Sequence, residues 1–517
     1  MALGLVALLV AGAAWWFTFR LRTHITLEDA LITYRYATNL ATGKGFVFNE
    51  GERVLGTTTP LQTMVLAAAG WLLGPARIPQ VSTLLMLGAG IVTGALNVLI
   101  LKRLGFGRLT ALAGGALYFA SREMLLAGAG GMETSLALMW MAASLLALLY
   151  RRPAAAFALG ALLVLTRPDG GVWLALLAAG WFAGWWRNAE QPAPAGYRTR
   201  SIPTILGTWL PAALILLPWL LFATVYFGSP IPHSVTAKQA IGPWSGYPLA
   251  SGEAVVAFGR WFAEVTAFRP AELIFVPWLF VLVIGAGTWL ARPRARRPAL
   301  LLLAYILLYG AFLYLGRAPH FPRYLAPALW ATLLLAAAGL ERLVRVFTAR
   351  PWAVRAAVPA LILLFAYTQN AGFLTYHTQF QANEHHLRRA AGLWLAQNTP
   401  AGSSVAMEAI GYQGYYSGRR VVDLAGLVTP AVVRLRERSA DNAETFYRVL
   451  QTLQPDYLVL RSFEVDQNRH FHGGPLFATA EQRAHFTTHY REVRRFTAPY
   501  PALWGDQGGL TIYERVS

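Results

Sequence analysis

The sequence predicts a polytopic α-helical membrane protein, with about eleven transmembrane helices and a C-terminal α/β domain outside the membrane. Three observations carry that prediction. Of 517 residues, 56% are hydrophobic and only 13% are charged, against about 25% charged in a typical soluble protein. The apolar residues come in blocks of about 15–25, long enough to cross a bilayer. Arginines cluster between the blocks. Together these exclude a soluble enzyme and a disordered chain. The absence of cysteine excludes disulfides, thiolate catalysis, zinc–cysteine sites and iron–sulfur clusters. A net charge of +19 would suggest nucleic acid in a soluble chain. Here topology accounts for it, and no nucleic-acid partner is expected.

Taken in order, the first block covers residues 1–19 and has neither a basic leader nor a cleavage site. It reads as a signal anchor. Further blocks fall at 79–101, 109–128, 132–150, 153–166, 170–186, 203–227, 271–291, 298–316, 321–341 and 356–376. The basic clusters are Lys102, Arg103 and Arg108; Arg151 and Arg152; Arg187, Arg198 and Arg200; Arg292 to Arg297; and Arg342 to Arg355. An even number of blocks separates each cluster from the next, so all can share one side. The positive-inside rule makes that side cytoplasmic, with the amino terminus there too. The short apolar stretch 60–74 breaks the parity if counted, so it reads as an interfacial helix. The loop 20–78, the turns 128–132, 167–171 and 316–322, the loop 228–270 and everything after residue 377 then face outward. This divides the chain into a membrane domain, 1–376, which includes the outer loop 20–78, and an extracytoplasmic domain, 377–517. The latter has short β-like runs at 404–407, 420–423 and 456–461 between helical stretches, a pattern of an α/β fold.

The chemistry concentrates in the first outer loop. Glu28 and Asp29 follow the first span directly and open a helix that stops near Gly43. Two adjacent carboxylates at a membrane surface are costly unless paired or used. Thr26-x-x-Asp29 reads as a capping box. Asp29 reads equally as a general base, held ionised by the helix N-terminus. Arg35 lies two turns from Glu28, too far to pair with it directly. It is free to meet another anion such as a phosphate.

The loop also carries Arg35-Tyr36-Ala37, Asn39-Leu40, Gly43-Lys44-Gly45, Phe48-Asn49-Glu50-Gly51-Glu52 and Thr59-Pro60-Leu61. In this it resembles membrane glycosyltransferases of the GT-C fold, and among them bacterial cell-wall arabinofuranosyltransferases and related polyprenyl-phosphate-sugar transferases. It departs at Glu28, where two aspartates are common, which leaves open which acid is the base. The resemblance continues in the outer turns: Gly131-Met132-Glu133-Thr134; Arg167-Pro168-Asp169-Gly170; Gly228-Ser229 through His233 to Lys238, with His233 in place of the usual Asn; and Arg323-Tyr324-Leu325-x-Pro327. In the tail it takes in Ile410-Gly411 and Asp423-x-x-Gly426-Leu427.

The resemblance implies an enzyme of the bacterial inner membrane. It would move a pentose or hexose from a polyprenyl-phosphate donor to a glycan, lipid or protein acceptor outside, by a single inverting displacement. Asp29 or Glu28 would be the base. Arg35, Arg167, Lys238 and Arg323 would hold the donor phosphate. Lys44, Glu133, His233 and Tyr324 would contact substrate. The family accommodates a divalent cation near the first-loop acids, and the sequence neither requires nor excludes one. His385-His386 are adjacent, diverge on a helix and do not suggest a ligand pair. Bland readings stand beside these: Glu133 as a helix cap, Arg167 as a snorkelling anchor, Asp423 as a turn residue, and Tyr412, Tyr415 and Tyr416 as core instead of a sugar platform. A flippase for lipid-linked sugar, or a polymerase or ligase using polyprenyl-diphosphate glycans, are the rival functions. A transporter would place ionisable groups near the bilayer midplane, whereas these spans are nearly free of charge.

Overall fold

The computed structural model describes residues 2–184, 202–241, 256, 259, 271–316, 321–470, 473–503 and 508–516. Arg187, Arg198, Arg200 and most of the loop 228–270 lie outside the described residues. The chain divides into two compact units. One comprises Met1–Leu21, Thr83–Phe222 and Tyr247–Phe373; the other comprises Arg22–Ser82, Ala223–Gly246 and Leu374–Ser517. The first outer loop thus belongs to the same unit as the tail. Its polar residues find their partners on the tail, as described below.

The helical unit is built from apolar helices packed through small residues. Gly285 and Gly339 bring the helices Ala271–Leu290 and Pro322–Phe347 into backbone contact, where a Cβ on either glycine would collide with a backbone oxygen. Trp16 fills the gaps left by Gly90 and Gly128 and donates its indole N–H to Phe119 O at 3.1 Å. Trp173 donates to Ser144 Oγ at 2.8 Å and Trp330 to Asn97 Oδ1 at 2.9 Å. Such bonds matter because lipid offers polar groups no alternative partner.

Among the described residues six helices are long and apolar enough to cross a membrane, or seven if one bent pair counts as a span. That pair, Arg122–Ala129 with Thr134–Leu149, turns by 112° at Gly131, whose φ of 81° demands glycine. Pro153–Thr166 and Gly170–Phe182 are apolar but have only 14 and 13 residues. At about 1.5 Å per residue they fall short of a hydrocarbon core about 30 Å thick. The block 109–128 is likewise two helices, Arg108–Ala120 and Arg122–Ala129, broken at Ser121. Length alone therefore does not reproduce eleven spans.

The second unit contains a five-stranded sheet in the order β2-β1-β3-β5-β4. Its strands are β1 (Ser404–Met407), β2 (Arg420–Asp423), β3 (Tyr457–Arg461), β4 (Tyr490–Thr497) and β5 (Gly509–Arg515). β1 pairs in parallel with β2 and β3, while β5 pairs antiparallel with β3 and β4. Ala406, Val422, Phe446, Leu458, Phe477 and Phe486 are part of its core. The interfacial stretch is a helix, Pro60–Leu73, that leaves Trp71, Leu72 and Leu73 exposed. These large apolar side chains suit a membrane surface.

Candidate active site

The first-loop helix runs Glu28–Ala41, with Leu27 at its N-cap and no side-chain cap. The capping-box reading of Thr26 and Asp29 does not hold. Thr26 instead donates its amide N–H to Gln381 Oε1 at 3.1 Å, and Gln381 Nε2 donates to the Tyr412 hydroxyl at 2.6 Å. The same hydroxyl is 3.0 Å from Thr26 O. Tyr412 is therefore a buried core residue, whereas Tyr415 and Tyr416 are half-buried.

Glu28 closes this arrangement. Its Oε1 accepts the Gly411 amide N–H at 2.6 Å, and the Tyr412 amide lies 3.3 and 3.2 Å from its two oxygens. These amides open the helix Ile410–Ser417, whose own N-cap, Ala409, has no side chain able to cap it. Glu28 supplies the missing acceptor. Arg388 Nη1 lies 3.8 Å from Glu28 Oε2 and 3.0 Å from Glu384 Oε2. A π turn, His385–Arg389, starts directly after Glu384. Burial pushes the Glu28 carboxyl up to about 7; Arg388 opposes the shift and the Glu384 charge adds to it.

Arg35 is also committed to the fold. Its Nε donates to Phe48 O at 2.8 Å, Nη1 to Gly414 O at 2.6 Å, and Nη2 to Arg419 O at 2.7 Å and Asn49 Oδ1 at 3.3 Å. Its Cζ stands 4.2 Å from the Phe48 ring centroid. A guanidinium so enclosed serves as a structural tie, and this corrects its expected place on a donor phosphate. Asn49 makes a two-point bond to the β2 edge, donating to Val421 O and accepting Val421 N–H, both at 2.9 Å. Glu52 pairs with Arg420 at 2.7 Å. Asp29, the second acid of the first-loop pair, is half-buried in the first helical turn. Lys44 pairs with Glu50 at 2.9 Å on an exposed loop.

In the same unit, His233 begins the helix His233–Ile241 and donates its backbone N–H to Leu55 O at 2.8 Å. Burial lowers its imidazole pKa. Lys238 is half-buried one turn on. Asp423 is a turn residue, as its bland reading had it: its carboxylate accepts the Ala425 and Val428 amides at 2.9 and 3.2 Å. Burial raises that carboxyl to about 6.

The remaining candidates meet in the helical unit. Arg167 is 4% exposed. Its Nη1 lies 3.1 Å from Glu133 Oε1, its Nη2 2.7 Å from Asp169 Oδ2 and its Nε 3.0 Å from Asp169 Oδ1. The fork-on-carboxylate geometry fixes the guanidinium plane. The Tyr309 hydroxyl lies 2.6 Å from Asp169 Oδ2 and 2.8 Å from Tyr324 O. Arg323 is half-buried, its Cζ 4.0 Å from the Phe321 ring centroid and 5.4 Å from that of Tyr324. Three separate turns thus converge. Glu133 does occupy an N-cap position, but its side chain pairs with Arg167 and makes no cap bond. Arg167 is an internal ion-pair partner, not a snorkelling anchor.

Sequence reasoning missed Tyr309, Arg388, Glu384 and the docking role of Asn49. Glu384 and Arg388 are spaced i,i+4, a legible pair; nothing marked Tyr309. Among the described residues no group of three or more His, Asp or Glu is placed to hold a metal ion. Both Glu28 oxygens lie within hydrogen-bond distance of backbone N–H groups.

The whole chain superposes on solved membrane enzymes. The structure of ArnT from Cupriavidus metallidurans bound to undecaprenyl phosphate covers 100% of this chain and 99% of its own, with a TM-score of 0.61 and 14% identity. The fold is GT-C. Another GT-C structure, the oligosaccharyltransferase AglB of Archaeoglobus fulgidus in complex with an inhibitory peptide and a dolichol-phosphate, matches with a TM-score of 0.56 and 14% identity, over 88% of this chain and 69% of its own. In sequence, the terminal beta-(1->2)-arabinofuranosyltransferase of Mycobacterium tuberculosis is 29% identical over 302 residues, 53% of this chain. The match takes in 42% of that relative's length. A family model described as a domain of unknown function (DUF8728) matches residues 370–513. The GT-C chain is thus a multi-pass membrane protein whose tail carries a family signature of its own.

Proposed function

We propose that the protein is a glycosyltransferase of a bacterial inner membrane, transferring a pentose or hexose from a polyprenyl-phosphate donor to a glycan, lipid or protein acceptor. Asp29 deprotonates the acceptor hydroxyl, and the oxygen attacks the anomeric carbon in line, inverting it. The bond from that carbon to the phosphate oxygen breaks, and the leaving phosphate keeps the electron pair. Positive charge placed where this negative charge develops lowers the barrier. Arg323 and Lys238 supply it. Arg167, held by Glu133 and Asp169, sets the turn that carries Tyr324 beside Arg323. Lys44 and His233 act on the substrate side.

The observation that carries this reading is the division of labour in the acid pair. Glu28 caps the helix Ile410–Ser417, whereas Asp29 sits half-buried in the first turn of the helix Glu28–Ala41, and the reading assigns the chemistry to Asp29. The full-length likeness to ArnT, solved with undecaprenyl phosphate, supports a lipid-phosphate donor. In this reading eleven spans place the amino terminus inside and residues 377–517 outside.

The test is transfer by the purified protein in proteoliposomes containing polyprenyl-phosphate-linked pentoses and hexoses, with acceptor glycans from the parent cell envelope. Transfer that is lost in Asp29→Asn and retained in a surface variant supports the reading. No transfer from any polyprenyl-phosphate sugar, with envelope glycans unchanged in a deletion strain, would overturn it.

A further inference from the structure

The helices Ala271–Leu290 and Pro322–Phe347 touch at Gly285 and Gly339. On the C-terminal side of that crossing, between these helices and the start of the helix Arg108–Ala120, lies a cavity of about 490 Å³. Its lining includes Arg292, Arg342 and Arg345 and one acid, Glu341. Glu341 is already neutralised: Arg345 donates to it at 2.7 and 2.9 Å, and the Thr110 hydroxyl bonds its other oxygen. Two guanidiniums remain uncompensated. Arg292 is held in place, its Cζ 4.3 Å from the Phe106 ring centroid and its Nη1 donating to Gly105 O at 3.0 Å. Arg342 is exposed and forms no ion pair among the described residues.

The rest of the lining is apolar or small. Ile284 and Ala338 face the cavity, and at Gly287 a Cβ would meet nothing within 4 Å. Phe280 and Val283, on the same helix, are largely exposed, as a lipid-facing surface would be. A soluble anion needs the charges alone. Charges beside an apolar wall, on the arginine-rich end of membrane helices, suit an anionic headgroup with acyl chains attached. The cavity is about 25 Å along the helix from Tyr324, at about 1.5 Å per residue, and so is separate from the transfer chemistry proposed above.

We propose that this cavity binds the phosphodiester headgroup of an anionic glycerophospholipid, with Arg292 and Arg342 on the phosphate and the acyl chains along the face of Phe280 and Val283. The ligand is a structural lipid of the arginine-rich, inner leaflet. The full chain, stripped of lipid in detergent, is titrated with phosphatidylglycerol, phosphatidylcholine or glycerol 3-phosphate. Bound lipid is counted by native mass spectrometry and protection read as melting temperature.

One phosphatidylglycerol should be retained in preference to phosphatidylcholine, and it should raise the melting temperature. Arg342→Ala should weaken retention about fivefold, the effect of one cation near an anionic surface, while Arg342→Lys restores most of it. Gly287→Phe keeps every charge and fills the space, and should abolish retention with the protein still folded. Equal retention of the two lipids, or unchanged retention in both Arg342→Ala and Gly287→Phe, would overturn the proposal. Protection by glycerol 3-phosphate equal to that by lipid would overturn its assignment to a membrane lipid.

Discussion

The Glu28 carboxylate accepts the Gly411 amide N–H at 2.6 Å, across 383 residues of sequence. An acid of the first outer loop thereby caps a helix of the tail.

Amide substitutions resolve the two acids. Asp29→Asn preserves shape and removes proton acceptance, so turnover should fall about 10²–10⁴-fold while the melting temperature holds. Glu28→Ala leaves the helix at Ile410 uncapped and should cost about 1–2 kcal/mol of stability. Thermal melts beside single-turnover assays separate the effects. A Glu28→Gln variant that melts normally yet transfers no sugar would make Glu28 the base instead.

The Glu28 tie should depend on pH. Burial raises its carboxyl from an ordinary 4.5 to about 7, so between those values the folded protein keeps a proton that the unfolded chain has released. Stability from this group is present below about pH 4.5 and is lost as pH rises through 7. The melting temperature of the parent relative to Glu28→Gln should therefore fall from pH 5 to pH 8. A difference that stays constant over that range rules out the shift.

Arg35 and Arg323 should behave oppositely. Arg35 donates to three carbonyls and Asn49, a pattern that lysine cannot reproduce. Arg35→Lys should destabilise the protein by about 2–3 kcal/mol, with little change in KM for donor in the surviving fraction. Arg323→Ala should fold normally and lose about ten- to a hundred-fold in donor use, equivalent to a charge-assisted contact of about 1.5–3 kcal/mol. Full activity of Arg323→Ala at limiting donor would remove it from the phosphate site.

Removing Arg167 strands two carboxylates, the buried Glu133 and the half-buried Asp169. Arg167→Ala should cost about 3–5 kcal/mol, the price of an uncompensated buried charge. A triple variant that also carries Glu133→Gln and Asp169→Asn should recover much of that loss. Melting curves of the single and triple variants test the pairing, and no recovery in the triple would argue against it.

The helical membrane class was legible because apolar blocks and arginine clusters follow directly from the bilayer's dimensions. The strand positions 404–407 and 420–423 were legible too, since alternation and turn residues are local signals. The convergence of Glu133, Arg167 and Tyr324 in one cluster was readable only as motifs in separate turns. The docking roles of Arg35 and Glu28 were not readable. Each depends on backbone groups at Gly411, Gly414 and Arg419, and a sequence does not show which carbonyl or amide is left without a partner. Helix length does not fix the span count for a related reason. Composition marks 153–166 as apolar, but only packing decides whether fourteen residues cross, tilt or stop.

Asn49 has a consequence for making the tail as a soluble fragment. β2 is the outermost strand of its sheet, and the Asn49 side chain seals it at Val421. A protein cut at residue 370 or 377 to match the family boundary would expose that edge and invite intermolecular strand pairing. It would also leave the helix at Ile410 without its acceptor. A fragment that splices residues 22–60 to the tail through a flexible linker restores both, and is the version worth expressing for crystallisation or antibody selection.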